Sequence, residues 1–346
     1  MKHPTLSHLK RLNAQFEQLQ TVEGLAQLLR TDKHKIQLIA ATPSYNTFII
    51  KKPSGGERYI EDPAAPLKKI QRQLNTYLQA KCHLCRTPAA FGFMIAVKDD
   101  TSPRGIRHNA RQHLGATYML NMDFDAFFHT ISAEQINKIF GGQVYNFNDE
   151  LALLLTQLCT YQLRLPMGAP TSPVLSNLAS IALDYDLLSL AHSRQWQYSR
   201  FVDDLTFSGA NPFDLYDVQL ITNMASIYGY VVNSDKTRLL GASADKEVTG
   251  IKVGKQRLQL TDELMINIHK DLDKLRTIHE TQYQSGYENT KWVADFEQHV
   301  RGQLAFAKDI LGENDVIYQD LVQRFDNATD VSNFGQIGWR SLAQYW

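Results

Sequence analysis

The chain has 346 residues, 43% of them hydrophobic, and its 36 Lys and Arg balance 36 Asp and Glu. That length supports two or three structural units, and the lack of a low-complexity run excludes a disordered chain. Three cysteines are too few for a disulfide framework, Met1-Lys2-His3-Pro4 lacks a signal-peptide pattern, and no apolar run approaches membrane-spanning length. The expectation is a soluble protein of the reducing cytoplasm with no membrane partner. Cys82-His-Leu-Cys85 has metal-ligand spacing, but Cys159 stands alone, so these read as thiols rather than a zinc site. The neutral total hides a division: residues 51–110 carry 11 Lys/Arg against 5 Asp/Glu, and residues 111–190 carry 3 against 7. A basic segment beside an acidic one suits a polyanion held over a metal-binding floor.

In chain order, residues 5–30 read as helical, with Leu6, Leu9, Leu12, Phe16 and Leu19 on one stripe and Leu25, Leu28 and Leu29 on another. From Tyr45 the period becomes that of strands. Tyr45 to Lys52, the turn Pro53-Ser-Gly-Gly56 and Glu57 to Ile60 form a hairpin with Lys51, Lys52 and Arg58 near its tip. Leu67 to Leu78 is an amphipathic helix, Ala90-Phe-Gly-Phe93 a short apolar segment, and Lys98 to Arg107 a polar loop. Tyr118 to Asp123 is a buried strand ending in a carboxylate, Asp125 points to solvent, and Ser132 caps the next helix.

Leu151 to Tyr161 is an apolar helix. Leu165-Pro-Met-Gly-Ala-Pro-Thr-Ser-Pro173 is punctuated enough to fix an irregular loop whose backbone N–H groups can face a ligand. An apolar helix, Val174 to Leu190, follows. Tyr198 to Ser208 then reads as two half-buried strands joined by a tight turn at Asp203 and Asp204. Adjacent carboxylates among apolar residues repel each other and resist ionisation, so the turn calls for a hard cation such as Mg²⁺. Leu215 to Tyr228 is helical, Gly229 to Thr237 is a strand and loop bearing Lys236, and Val248 to Gly254 is a strand and turn. From Thr261 the chain is helical, with stripes through Leu264, Ile268, Leu272, Leu275 and Ile278 and through Phe296, Val300, Leu304, Ala307 and Leu311. Asn327 to Trp346 is an irregular tail.

Two-metal nucleotidyl transfer needs carboxylates from neighbouring strands under a set of cations. Asp123 with Asp203 and Asp204, below Lys51 and Arg58, has that order.

At these residues the chain resembles reverse transcriptases, and more narrowly the bacterial retron type. Phe201-Val-Asp-Asp204 matches the aromatic-x-Asp-Asp box, Leu165 to Pro173 with Ser176-Asn-Leu178 the template and nucleotide loop, and Asn121 to Phe128 the first metal box. Asn109-Ala-Arg-Gln-His113 and Val248-Thr-Gly250 resemble elements specific to retrons, and His299-Val-Arg-Gly302 a thumb motif. The resemblance covers roughly residues 45–255. It implies an α+β right-hand polymerase: a helical extension (1–44), fingers (45–115, with 140–175), palm (116–255), helical thumb (256–326) and tail (327–346). It further implies two Mg²⁺ ions, with Mn²⁺ able to substitute, on catalytic Asp123, Asp203 and Asp204 and the carbonyl of Phe124.

By the same resemblance, Lys51, Arg58 and Lys236 hold the triphosphate, and Met167 and Gly168 lie in the nucleotide loop. Phe128 lies under the sugar and favours deoxynucleotides, while Asn109, His113, Val248, Thr249, Gly250 and Arg301 contact RNA. The implied partners are a cognate structured noncoding RNA serving as template and primer, its DNA product, dNTPs, an effector protein in anti-phage defence, and a host RNase H. Three positions depart from the family: Met167 stands for Gln, Ala126 for an acid, and Phe201 for Tyr. Met167 motivates an alternative, a defence-associated enzyme making self-primed, untemplated or repetitive DNA. A third reading is an RNA-binding scaffold that sequesters an effector.

Overall fold

The computed structural model describes residues 3–51, 55–142, 144–285 and 290–330. The chain forms two compact units, Met1–Ala244 and Asp245–Trp346.

The first unit opens with three short helices, α1 (Leu6–Glu17), α2 (Val22–Leu28) and α3 (Lys33–Ala41). The single helical stretch expected over 5–30 is therefore broken. Thr21 starts a new helix by accepting from Gly24 N at 3.1 Å, and the two stripes belong to separate helices. The hairpin follows as β1 (Tyr45–Lys51) and β2 (Glu57–Pro63), in antiparallel register with Ile50 opposite Arg58 and Lys51 opposite Glu57. Lys52 lies outside the described residues. The next helix, α4 (Ala65–Cys85), buries Leu67, Ile70, Leu74 and Leu78 as its spacing predicts, and α5 (Ile106–Arg111) carries Asn109.

The strand β3 (Tyr118–Asp125) is nearly continuous in burial, with Asp125 exposed at its end as expected. After α6 (Phe127–Thr130), Ser132 caps α7 (Ala133–Gly141) in a capping box with Gln135. The apolar α8 (Asp149–Cys159) precedes the Leu165–Pro173 loop. One helix was expected over 174–190. Two are present, α9 (Ser172–Ala179) and α10 (Ile181–Ser193), bent by 48° at Ser180. Ser180 Oγ bonds back to Ser176 O at 2.9 Å and meets the Tyr230 hydroxyl at 2.8 Å. No single helix among the described residues is long and apolar enough to cross a membrane.

The hairpin β4 (Gln197–Phe201) and β5 (Asp204–Gly209) leads to α11 (Leu215–Ile227), β6 (Val231–Val232), a 3₁₀ turn at Ser234–Lys236, and β7 (Arg238–Leu240). The sheet order is β4-β5-β3-β6, with β7 also pairing β3. The strand β4, expected to be half-buried, is covered on both faces. Tyr198 and Arg200 are buried, and so is the intervening Ser199, against His113. One apolar core joins these strands to α1–α4 and α7–α11.

The second unit holds an antiparallel sheet of β8 (Glu247–Val248), β9 (Ile251–Val253) and β10 (Leu258–Gln259), then α12 (Asp262–Ser285), α13 (Thr290–Leu311) and α14 (Val316–Thr329). The two predicted stripes supply its interior through Ile268, Leu272, Leu275, Val300, Leu304 and Ala307. The helix α14 runs to Thr329, so the irregular tail begins later than expected; residues 331–346 lie outside the described residues.

Candidate active site

Two strands bring the three aspartates together. β3 and β5 run antiparallel with Asp123 opposite Asp204, and the turn Val202–Asp203 sets the third acid beside them. Ligand oxygens of Asp123, Asp203 and Asp204 lie within 4.8 Å of one another. Phe124 N donates to Asp203 O at 3.1 Å, and Asn233 N donates to Asp123 O at 2.7 Å. Burial pushes the Asp203 carboxyl up, and Asp123 adds to the effect. Burial also raises Asp204, together with the Asp203 charge and a hydrogen bond that its protonated carboxyl donates to Asp123. Lys236 Nζ donates to Asp123 Oδ1 at 2.6 Å, and that bond raises the ammonium's pKa.

The acids form one wall of a cleft of ≈ 830 Å³ whose lining includes Arg58, Phe93, Phe124, Phe128, His129, Met167, Gly168 and Lys236. Most residues expected to hold metal or nucleotide thus converge on one space. Lys51 is not among the lining residues; it is exposed at the end of β1, one register pair beyond Arg58. The Phe124 side chain is buried and stacks on Tyr230 with centroids 4.8 Å apart.

The Met167 backbone is tied to β2. Glu61 N donates to Met167 O at 2.7 Å, and Met167 N donates to Glu61 Oε2 at 3.2 Å. Gly168 has φ +130°, and a Cβ there would stand 3.0 Å from Glu61 O. Arg164 holds the same carboxylate with two 2.8 Å bonds. Burial alone would raise Glu61, but Arg164 outweighs it and the carboxyl stays below its usual range.

The turn itself rests on a buried ion pair. Arg200 donates from Nε to Asp184 Oδ1 at 2.7 Å and from Nη2 to Oδ2 at 2.8 Å, with both residues 0% exposed. Its Nη1 donates to Val202 O at 3.0 Å and to Asn177 Oδ1 at 3.2 Å. Val202 has φ +64°, a left-handed backbone unusual for a β-branched residue. Neither Glu61–Arg164 nor Asp184–Arg200 emerged from the motifs. The available signal was a charged residue on the apolar face of an otherwise buried element, Asp184 in α10 and Arg200 in β4.

The retron-specific elements lie elsewhere. Asn109 and His113 are each 1% exposed, so their side chains face the interior. His113 spends both ring nitrogens inside, on Ser208 Oγ at 2.8 Å and Ser199 Oγ at 2.7 Å, so it braces β4 and β5. Burial drives its pKa down to about 3. Val248, Thr249, Gly250 and Arg301 belong to the second unit. Val248 is buried, whereas Thr249 and Gly250 form the β8–β9 turn at φ +51° and +77°. Arg301 is exposed, pairs with Glu297 at 2.7 Å and lies over the Phe325 ring.

A family model described as reverse transcriptase (RNA-dependent DNA polymerase) matches residues 50–253. Retron Ec86 reverse transcriptase of Escherichia coli is 29% identical over 251 residues, 71% of this chain and 75% of that protein. Retron Ec83 reverse transcriptase of the same organism is 25% identical over 279 residues, covering 77% and 83%. Retron Mx65 reverse transcriptase of Myxococcus xanthus is 30% identical over 231 residues, 60% of this chain and 51% of that protein, so the chain spans about half of that relative. A solved telomerase from Candida albicans, in complex with a fragment of telomeric RNA, has a TM-score of 0.49 at 11% identity over 86% of this chain and 66% of that one. The mixed helices and antiparallel sheet, with the family match, bear out the expected α+β reverse-transcriptase fold. The chain belongs to the reverse transcriptase family of RNA-directed DNA polymerases, and its relatives are retron enzymes.

Proposed function

We propose that this enzyme copies a cognate structured noncoding RNA into RNA-linked single-stranded DNA, with two divalent cations held by Asp123, Asp203 and Asp204. The single observation that carries this reading is the set of three carboxylates within 4.8 Å. The residues fit a hard cation: all the side-chain donors are carboxylate oxygens, and two of the acids are raised by burial and mutual repulsion. Mg²⁺ suits them, with Mn²⁺ as a substitute, and the Phe124 carbonyl is a further oxygen donor. When bound, the ions supply activation of a primer hydroxyl and neutralisation of phosphate charge.

The chain's own groups do the rest. Arg58 and Lys236 in the cleft, with Lys51 further out, bind the triphosphate. Phe128 bears on the sugar, where its bulk excludes a 2′-hydroxyl. Met167 and Gly168 position the nucleotide, and Glu61 holds them. Residues 45–115 with 140–175 serve as fingers, 116–255 as palm and 256–326 as thumb. Thr249, Gly250 and Arg301 remain as RNA contacts. The resemblance to retron enzymes further implies priming from an internal guanosine 2′-hydroxyl, action with an effector protein in anti-phage defence, RNA removal by a host RNase H, and a cytoplasmic site of action.

The test is to express the chain with the noncoding RNA encoded beside it and sequence the nucleic acid that co-purifies. A branched RNA–DNA joined at a guanosine 2′ oxygen, lost in Asp203→Asn, is the expected product. A homopolymer or a protein-linked 5′ end would overturn the reading in favour of self-primed synthesis. Protection of cells by Asp203→Asn would favour a scaffold.

A further inference from the structure

Phe93 is a large apolar side chain that the fold keeps out of its core. Its ring is 38% exposed and lines the cleft, and its backbone sits at φ +56°, a region bulky residues rarely adopt. Two side chains hold it there. Gln79 Nε2 donates to Phe93 O at 3.2 Å, and the buried Asn177 Nδ2 donates to Gly92 O at 2.9 Å. A Cβ on Gly92 would stand 2.7 Å from Val202 Cγ2 and 2.8 Å from Val202 N, so this segment lies against the catalytic turn. An uncommon backbone conformation that presents an exposed ring to an active site is the kind of outlier from which function is inferred.

The ring faces Phe128. Their centroids are 6.1 Å apart with the planes tilted by 35°. Phe128 also meets Phe127, a core residue, at 5.5 Å and 57°. Phe128 therefore meets both a ring that belongs to the core and one that lines the cleft. A side chain that selects by bulk discriminates only as far as it resists displacement. Phe128 is partly buried against the core and also lines the cleft, where the Phe93 ring is its aromatic neighbour.

We propose that Phe93 is a specificity-determining positioning residue that buttresses Phe128 and so sets how strictly the enzyme excludes ribonucleotides. The proposal rests on the reading of Phe128 as the residue that bears on the sugar. Without the Phe93 ring, Phe128 has room to shift into the space the ring vacates and so admit a 2′-hydroxyl.

The experiment measures kcat/KM for a dNTP and for the matching rNTP on one RNA template–DNA primer, with the full chain and its variants. An aromatic pair of this geometry implies a loss of discrimination of about three- to tenfold in Phe93→Ala. Phe93→Gly is expected to lose as much, because glycine is at ease at this φ and the shared defect is then the missing ring. Phe93→Tyr is expected to keep the parent ratio. The proposal is overturned if dNTP and rNTP efficiencies fall by the same factor, which marks general packing. It is equally overturned if the ratio holds while affinity for template–primer drops, which marks a template contact. Phe128→Ala separates the layers. If it leaves rNTP use unchanged, the sugar reading fails; if it relaxes selection and Phe93→Ala does not, only the buttress fails.

Discussion

Replacing Arg200 by Met keeps most of the side-chain volume and deletes the charge that faces Asp184. Both groups are 0% exposed, and Asp184 also accepts from Tyr198 Oη at 3.1 Å and Thr87 Oγ1 at 2.8 Å. Breaking a buried pair by removing one partner leaves the other charge uncompensated and costs about 3–5 kcal/mol, a large share of the roughly 5–15 kcal/mol that stabilises a domain. Arg200→Met is therefore expected to shift urea unfolding by that amount. The double variant Arg200→Met/Asp184→Leu, with no lone charge, should recover more than half of it. Activity separates a second contribution. Val202 is held at φ +64°, a conformation costing on the order of 1–3 kcal/mol, and Arg200 Nη1 is bonded to its carbonyl. The double variant is thus expected to fold yet remain at least about tenfold slower in single-turnover dNTP incorporation, tenfold corresponding to about 1.4 kcal/mol of lost turn positioning. A single variant within about 1 kcal/mol of the parent would refute the ion-pair argument. A double variant with full synthesis would refute the claim that Arg200 holds the turn.

Acid sensitivity should trace to His113. Its folded pKa of about 3 lies below the ordinary 6.5, so its neutral form is fully compatible with folding above pH 6.5 and stability is lost as pH falls from there toward 3. Between pH 7 and 5 the loss is about 2 kcal/mol by urea unfolding, and His113→Asn should flatten that slope. Glu61→Gln removes the charge that Arg164 grips and is expected to raise the KM for dNTP about three- to tenfold in primer extension. An unchanged KM would detach the β1–β2 hairpin from nucleotide binding. Gly92→Ala forces a Cβ to 2.7 Å from Val202 Cγ2 and 2.8 Å from Val202 N, and synthesis should fall at least about tenfold. Steady-state incorporation at the parent rate would show that the turn can move without consequence.

The elements that hold the aspartates were legible because a short apolar strand ending in a carboxylate is a local signal, as in Tyr118–Asp123 and the strands around Asp203. The breaks were less so. The apolar segment from Val174 to Leu190 gives no signal at Ser180, which meets Tyr230, 50 residues later, at the bend. Distance in sequence also hid the supports of the site. Glu61 meets Arg164 across 103 positions, and His113 meets Ser208 across 95. Asn109 and His113 show the limit of a motif. The match locates them, but a polar side chain in a short motif looks the same whether it faces RNA or, as His113 does, satisfies two serines in the interior.

Met167 takes on a definite meaning once its backbone partners are known. The loop is fastened to β2 through Met167 N, Met167 O and the close approach of Gly168, none of which depends on the side chain at 167. Exchanging Gln for Met therefore leaves the loop anchored and changes only what the cleft offers the nucleotide. Thioether sulfur is a weak acceptor and no donor. The residues assigned to the sugar, Phe128, Met167 and Gly168, then include no side-chain donor, so recognition there falls to volume. A site that selects by volume alone depends on the stiffness of its walls, and the wall in question is Phe128. On the proposed reading, Met167 in place of a hydrogen-bonding side chain and the left-handed backbone of Phe93 belong together: the first leaves sugar selection to Phe128, and the second sets a ring beside Phe128.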